Sequence, residues 1–367
     1  MASHDPDPHC CYQLSRYLQL RPEGEGFVAE SLLTGRRRVL STPASLRLFL
    51  SFSSRIRLSD LLSRASPAVA QALPVFLQGC LEDGLVTAIG EDGHAQQDEL
   101  TGVRAWEPHD MAFHLRSRPG RHPYPSGATW HLADRLPPAP PHHAARTDAI
   151  GSIALPRPDL QHLQEQDWTL TRALEQRRTR YSLAAVPLQS LGELLFRTCR
   201  VTGSRTINGE ELLRKVYPSG GSRHSIEVYV IAHRCAGLDP GAYRYDAREH
   251  RVEWLRRADE PLEAMLREAQ RSTGVLTDLP SVLLVFSSRI ARVTRKYQSN
   301  AYRVILKELG GIYQTIYLVA ETLGLAASAL GGGNSERFAQ VLATDFFAEP
   351  SIGEMILAGP GSAGGAS

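Results

Sequence analysis

Lysine is nearly missing from this chain. Of its 41 basic residues only three are lysine, Lys215, Lys296 and Lys307, and the rest are arginine. Net charge is scarce too: 39 acidic residues leave +2, so no global field favours nucleic acid or membrane. Any basic function has to be local. No apolar run approaches the length that spans a bilayer, and no signal peptide is found. The five cysteines are odd in number and, apart from Cys10 and Cys11, scattered. That argues against a disulfide framework and predicts a cytoplasmic chain with reduced thiols. His4, His9, Cys10 and Cys11 match no zinc spacing, so the expectation there is a frayed terminus and no metal. Missing as well is the G-x-G-x-x-G strand-to-helix turn of a dinucleotide-binding fold.

What is present suffices for two domains, since 367 residues can bury a sizeable core. Residues 12–94 read as a small winged-helix-like α+β domain. A strand pair over Phe27–Leu40 turns near Gly35, helices are predicted at Ser45–Phe52, Leu58–Arg64 and Ala68–Glu82, and a wing strand ends at Ile89. Arg36, Arg37, Arg38, Arg47, Arg55, Arg57 and Arg64 fall in it. They suit a docking face for an acidic peptide or carrier protein, or simply a solvated surface. DNA readout is disfavoured, because Asp60 on the second helix would face phosphate. Residues 95–158 read as a connector, rich in Pro, Gly and His from about 118 and extended rather than packed.

Residues 159–361 alternate helices and strands, which predicts an α+β sandwich with helices around one mixed sheet. Leu160–Gln176 reads as one helix. Ser190 and Glu193 have capping-box spacing for a helix through Arg200. Ile226–Ala232, Gly241–Asp246, Arg251–Leu255 and Val282–Phe286 read as strands. Residues 300–324 form the longest predicted helix, with Ile305, Leu309, Ile312 and Ile316 at core spacing.

Two segments stand out for chemistry. Arg177, Arg178, Thr179, Arg180 and Tyr181 place three guanidinium groups and a hydroxyl behind a helix, and arginine forks match phosphate bidentately. The same run is also what a solvated helix C-terminus looks like. Tyr217, Pro218, Ser219, Gly220 and Gly221 form a turn whose glycines let a backbone approach a flat ligand. A planar, phosphorylated cofactor such as flavin mononucleotide (FMN) fits both. Lys296 beside Tyr297 can serve as an acid/base pair, because a nearby ammonium favours phenolate, or as two ordinary residues at a helix start. Gly331–Gly333 can be a loose loop or a backbone platform for a ring system.

Taken in order, these segments resemble the nitroreductase-like flavoproteins, and within them the SagB-type azoline dehydrogenases. The resemblance rests on the Arg177–Tyr181 box, Tyr217–Gly221 followed by Glu227–Val230, Gly241–Asp246, Lys296–Tyr297 and the helix from Leu309 to Leu325. The stretch from Trp106 to Gly120 also looks like this subgroup's connector. The resemblance implies FMN at a homodimer interface. Arg177, Arg178, Thr179 and Arg180 would hold its phosphate and polar edge, Pro218, Ser219, Gly220 and Gly221 would line the ring, and Gly331 and Gly332 would lie against its other part. It makes Lys296 and Tyr297 the catalytic pair that removes a proton as a thiazoline or oxazoline is aromatised. The substrate would be a peptide or a carrier-bound intermediate, delivered with a cyclodehydratase or nonribosomal synthetase. Two departures are visible: Thr315 follows Gln314 where many relatives have Asn, and the tail after Pro360 lacks a basic residue. Both weigh against the alternative of an NAD(P)H-dependent nitro or quinone reductase. A flavin-free scaffold is the non-enzymatic alternative.

Overall fold

The computed structural model describes residues 6–360. His4, the expected domain end at 361 and the Gly/Ser/Ala tail beyond Pro360 lie outside the described residues. Between Tyr124 and Pro125 the chain divides into two units.

The first unit begins with β1 (Cys11–Leu14), β2 (Leu18–Glu23), β3 (Gly26–Ser31) and β4 (Arg37–Leu40), the last three an antiparallel meander. Gly35 turns β3 into β4 at φ +72°, a backbone that glycine adopts without strain. Next come α1 (Pro43–Leu50), β5 (Ile56–Arg57), α2 (Leu58–Arg64), α3 (Pro67–Glu82) and β6 (Val86–Ile89), close to the predicted bounds. Thr42 caps α1 by accepting from the Ser45 amide. The wing strand β6 is not a free hairpin; it pairs with β1, whose other edge carries β5. Phe49, Phe52, Leu58, Leu73 and Leu77 fill the core beneath the helices. Arg36 and Arg38 pair with Asp83, and Arg37 pairs with Glu23, so this part of the basic surface is neutralised locally. After α4 (Thr101–Arg104) and α5 (Pro108–Arg116), Tyr124 packs under Arg116 and donates to Glu30.

The second unit is a three-layer sandwich. Its strands are β7 (Gly151–Ala154), β8 (Val186–Pro187), β9 (Val201–Ile207), β10 (Glu210–Lys215), β11 (Ile226–Ala232), β12 (Cys235–Ala236), β13 (Gly241–Asp246), β14 (Arg251–Arg257), β15 (Val282–Ser288), β16 (Ala326–Leu330) and β17 (Ser351–Ala358). Seven of them form an antiparallel sheet in the order β16-β17-β15-β11-β13-β14-β7. The helices are α6 (Leu160–Gln166), α7 (Leu170–Gln176), α8 (Leu188–Cys199), α9 (Glu260–Thr273), α10 (Ala291–Thr294), α11 (Ala301–Thr322) and α12 (Ser335–Leu342).

Strand alternation explains the layers. Val228, Val230, Leu284 and Phe286 point to one face and pack with Leu191, Leu194, Leu195, Ile312 and Ile316 of α8 and α11. Tyr229, Ile231, Leu283 and Val285 point to the other and meet Leu262, Leu266 and Phe338 of α9 and α12. With both faces covered, β11 and β15 are buried at every residue, which is why β15 reads as an unbroken apolar run.

Four expectations are corrected. The helix over 160–176 is two, because Asp167 accepts from the Trp168 amide and Thr169 caps a new start at Leu170. Helix α8 starts at Leu188 after Pro187, with no side-chain cap, because β8 pairs with β12 and fixes the start earlier than the Ser190 box. Glu193 instead accepts from Arg197 one turn on. An unpredicted hairpin joins β9 to β10 through Asn208 and Gly209, both at positive φ. Finally, residues 125–158 are almost all exposed or half-buried, yet they are part of the second unit rather than a free connector. Strand β7 extends the sheet edge, and the carbonyls of Leu136, Ala139, Pro140 and Ala144 accept from Arg295, Arg292, Arg289 and Arg244.

Candidate functional site

The Pro218–Gly221 turn, Lys296 and Tyr297 come together at the start of α11. Ser219 Oγ donates to Glu308 Oε2 at 2.6 Å and accepts from the His224 amide at 2.9 Å, which ties the turn to α11. Gly220 lies so close to Val304 that a β-carbon would overlap its Cγ1. Gly221 has φ +62°, and a β-carbon there would stand 2.7 Å from both Lys296 Nζ and Tyr297 Oη. The two polar ends therefore lie within twice that distance of each other. Lys296 and Tyr297 hang from α10, their amides donating to the Val293 carbonyl at 3.1 and 2.9 Å.

Burial holds the Lys296 ammonium below its ordinary range; the Arg223 cation adds to this and Glu210 opposes it. Trp130 donates its amide to the Lys296 carbonyl and lays its ring near Nζ, at 5.5 Å. The same ring faces Arg223 and Arg295 at 5.1 and 5.6 Å. Those two arginines hold opposite oxygens of Glu210, at 2.8 and 2.6 Å. A cleft of about 530 Å³ opens over Gly221 and Lys296, walled by Trp130, Arg205 and Ile207.

The arginine box lies elsewhere. Arg180 Nη2 pairs with Glu321 Oε1 at 2.7 Å, near the far end of α11, and its amide donates to Ala327 of β16. Arg178 turns its guanidinium back onto the carbonyls of Glu175 and Arg177, capping α7. Arg177 sits over the Tyr317 ring at 5.5 Å, and Thr179 is exposed. The Tyr317 hydroxyl accepts from the Ala329 amide, so Gly331 and Gly332 follow directly from this group. Gly331 has nothing near the place of a β-carbon and Gly332 only Ser272 Oγ at 3.8 Å; Gly333 is the glycine the fold demands, because the Glu354 carboxylate fills that space. Burial pushes Glu354 up to about 7.

The candidate residues thus fall into two groups. Glu321 is thirteen positions along α11 from Glu308, about 20 Å at 1.5 Å per residue. Lys296 and the glycine turn share one end, while Arg177–Arg180 and Gly331–Gly332 share the other.

The sequence profile of the nitroreductase family matches residues 174–357, half of the chain, and takes in both groups. The chain belongs to the nitroreductase family. The profile of the cyanobactin oxidase ThcOx matches residues 12–123, nearly the whole first unit. Among curated relatives of this nitroreductase-family chain, the nitroreductase MJ1384 of Methanocaldococcus jannaschii is 26% identical over 50% of the chain and 87% of its own length. The trifolitoxin-processing protein TfxB of Rhizobium leguminosarum bv. trifolii is 32% identical over 40% of each chain. The microcin B17-processing protein McbC of Escherichia coli is 26% identical over 36% of this chain and 50% of its own. The chain therefore spans half or less of the length of these two processing proteins.

Trp130, Arg223, Glu210 and Glu308 belong to the site and were not singled out from sequence. Glu308 had a legible signal: an acidic residue between Ile305 and Ile312, on the apolar face of α11. Asn208-Gly209 likewise announced the hairpin that carries Glu210. Nothing local marks Trp130, which reaches the site only through the packing of residues 125–158. Among the described residues no helix is long and apolar enough to cross a membrane.

Proposed function

We propose that this nitroreductase-family protein is an FMN-dependent oxidase that aromatises thiazoline or oxazoline rings in a peptide or carrier-bound intermediate. The observation that carries the reading is the convergence of Lys296 Nζ and Tyr297 Oη on Gly221. A basic nitrogen and a phenol beside bare backbone suit removal of a Cα proton from a ring lying flat on the turn. The lowered proton affinity of Lys296 supports Lys296 itself as proton acceptor; while it is still charged, its ammonium would instead favour a Tyr297 phenolate in that role. Aromatisation also removes a hydride from the neighbouring ring carbon, and bound FMN supplies the two-electron acceptor for it.

The residues fit that cofactor. Gly220 and Gly221, having no side chains, let Val304, Lys296 and Tyr297 close onto the turn at the edge of the cleft, and the half-exposed Arg180 presents a guanidinium suited to phosphate. Arg177, Arg178 and Thr179 would join it, with Pro218 and Ser219 beside the ring and Gly331–Gly332 against its other part. Because the two groups sit at opposite ends of α11, the reading calls for a homodimer in which the box of one copy would face the turn and Lys296–Tyr297 of the other. The ThcOx match and the processing proteins support a peptide substrate, with the first unit engaging it and a ring-forming enzyme acting before. The test is to purify the protein and present an azoline peptide aerobically. A yellow protein that removes two hydrogens per ring sustains the proposal; a colourless one, or NAD(P)H-driven nitroreduction without azole formation, overturns it.

A further inference from the structure

Behind the glycine turn lies a closed polar cluster that the proposed chemistry leaves unused. Glu308 on α11, Tyr217 just before the turn and His224 just after it are all buried. Glu308 Oε1, the Tyr217 hydroxyl and His224 Nδ1 each lack a hydrogen-bond partner. The Tyr217 and His224 rings meet edge to face at 5.3 Å, and His224 Nδ1 stands 3.9 Å from Glu308 Oε1, too far for a direct hydrogen bond. Two buried, unpartnered polar atoms 3.9 Å apart are what a single enclosed water would bridge.

The other carboxylate oxygen is engaged. Ser219 Oγ accepts from the His224 amide, so its one hydrogen goes to Glu308 Oε2. Gly220 and Gly221 follow immediately, and their positions are set against Val304, Lys296 and Tyr297. One carboxyl group thus reaches the turn through one serine.

We propose that Glu308 is a positioning residue that, in its protonated form, fixes Ser219, Gly220 and Gly221 against the Lys296–Tyr297 pair, and that its ionisation loosens the turn. This rests on the flavin reading for its role in turnover, but the anchoring is a property of the chain itself. Charged and titratable groups around Glu308 are few. Lys215 of β10 and Arg292 of α10 favour its ionised form, as do Ser219 and the Ile226 amide, yet burial outweighs them and raises it to about 7. His224 supplies no cation, because burial, with Lys215 and Arg292, lowers it to about 3. Tyr217 is pushed well above its ordinary range by burial first and by Glu308 second. An ionised Glu308 therefore has a charge without an ion pair, and drawing water in around it opens the turn.

The test compares wild type, Glu308→Gln and Ser219→Ala by amide hydrogen exchange over residues 217–224 in FMN-free protein between pH 6 and 8.5. FMN affinity is measured by flavin fluorescence over the same range. Protection and affinity in wild type should fall at least tenfold as pH rises, after correction for intrinsic exchange. Glu308→Gln, neutral at every pH, should keep the low-pH values throughout, and Ser219→Ala should lose protection at both ends. A Glu308→Gln profile that follows wild type, a wild type without pH dependence, or a Ser219→Ala variant with wild-type protection each overturns the proposal. Wild type that binds no FMN at any pH sinks the flavin reading instead, and the exchange profiles still decide this one.

Discussion

Gly221 leaves Lys296 a space that no side chain could share, since a β-carbon at 221 would stand 2.7 Å from Nζ. The left-handed φ of +62° adds strain for any other residue. Gly221→Ala should cost about 1–3 kcal/mol of stability and displace Lys296. Thermal unfolding checks the first effect. Loss of turnover in the folded fraction checks the second.

Lys296→Ala and Tyr297→Phe should each lower azoline oxidation by about 10²–10⁴-fold, the span of a general acid–base contribution. Neither should release FMN, because both groups lie at the turn end of α11, away from the arginine box. The measurement is kcat beside the flavin content of the purified variants. Full turnover in both variants with FMN bound would show that the pair does no chemistry.

Arg180 serves both stability and the proposed binding. Its guanidinium is half exposed, but the Glu321 carboxylate it pairs with is buried and keeps only the Arg178 amide when the arginine is lost. Arg180→Ala should therefore lower stability by about 1–3 kcal/mol, read as a fall in melting temperature. It should weaken FMN binding about tenfold or more, as loss of a charged hydrogen bond to phosphate implies. An unchanged FMN Kd would remove Arg180 from the cofactor site.

At FMN concentrations too low to load Arg180→Ala, two impaired proteins should repair each other if the site is shared between copies. In a heterodimer of Arg180→Ala and Lys296→Ala chains, one site collects both defects and the other collects neither. Random mixing should restore roughly a quarter of wild-type turnover. No recovery after subunit exchange, with heterodimers verified, would place both groups in one chain's site.

Glu308 gives a stability prediction with a definite sign. Its carboxyl is raised from 4.5 to about 7 in the folded chain. The folded state thus holds a proton that the unfolded state releases, and the associated stability is full below about 4.5 and lost as pH rises to about 7. The loss is on the order of 3 kcal/mol. Glu308→Gln should therefore be more stable than wild type at pH 8 and nearly equal to it at pH 4.5, by thermal or urea unfolding.

Much of the fold was legible because both-face burial and helical spacing leave strong marks. The seven apolar-to-small residues from Val282 to Ser288 and the core row of α11 could hardly be read otherwise. The arginine box, the glycine turn and Lys296–Tyr297 were readable as segments, yet their division between two ends of α11 was not, since it depends on where the Arg180 and Ser219 backbones dock. Residues 125–158 misled for a physical reason. Their prolines and histidines signal solvent, but main-chain carbonyls accept from Arg244, Arg289, Arg292 and Arg295, an interaction with no side-chain pattern in the segment, and His143 and Arg146 find their partners, Glu349 and the Leu342 carbonyl, far along the chain.

That mode of attachment also sets how this region can change over time. Carbonyl oxygens are the same in every amino acid, so the identities at Leu136, Ala139, Pro140 and Ala144 are free to drift as long as the spacing between them is kept. The four arginines have no such freedom, because a lysine in their place has a single nitrogen and no planar fork; Arg292 alone reaches two separate carbonyls, those of Arg223 and Ala139. Insertions and deletions there, rather than substitutions, are what would pull Trp130 out of register with Lys296.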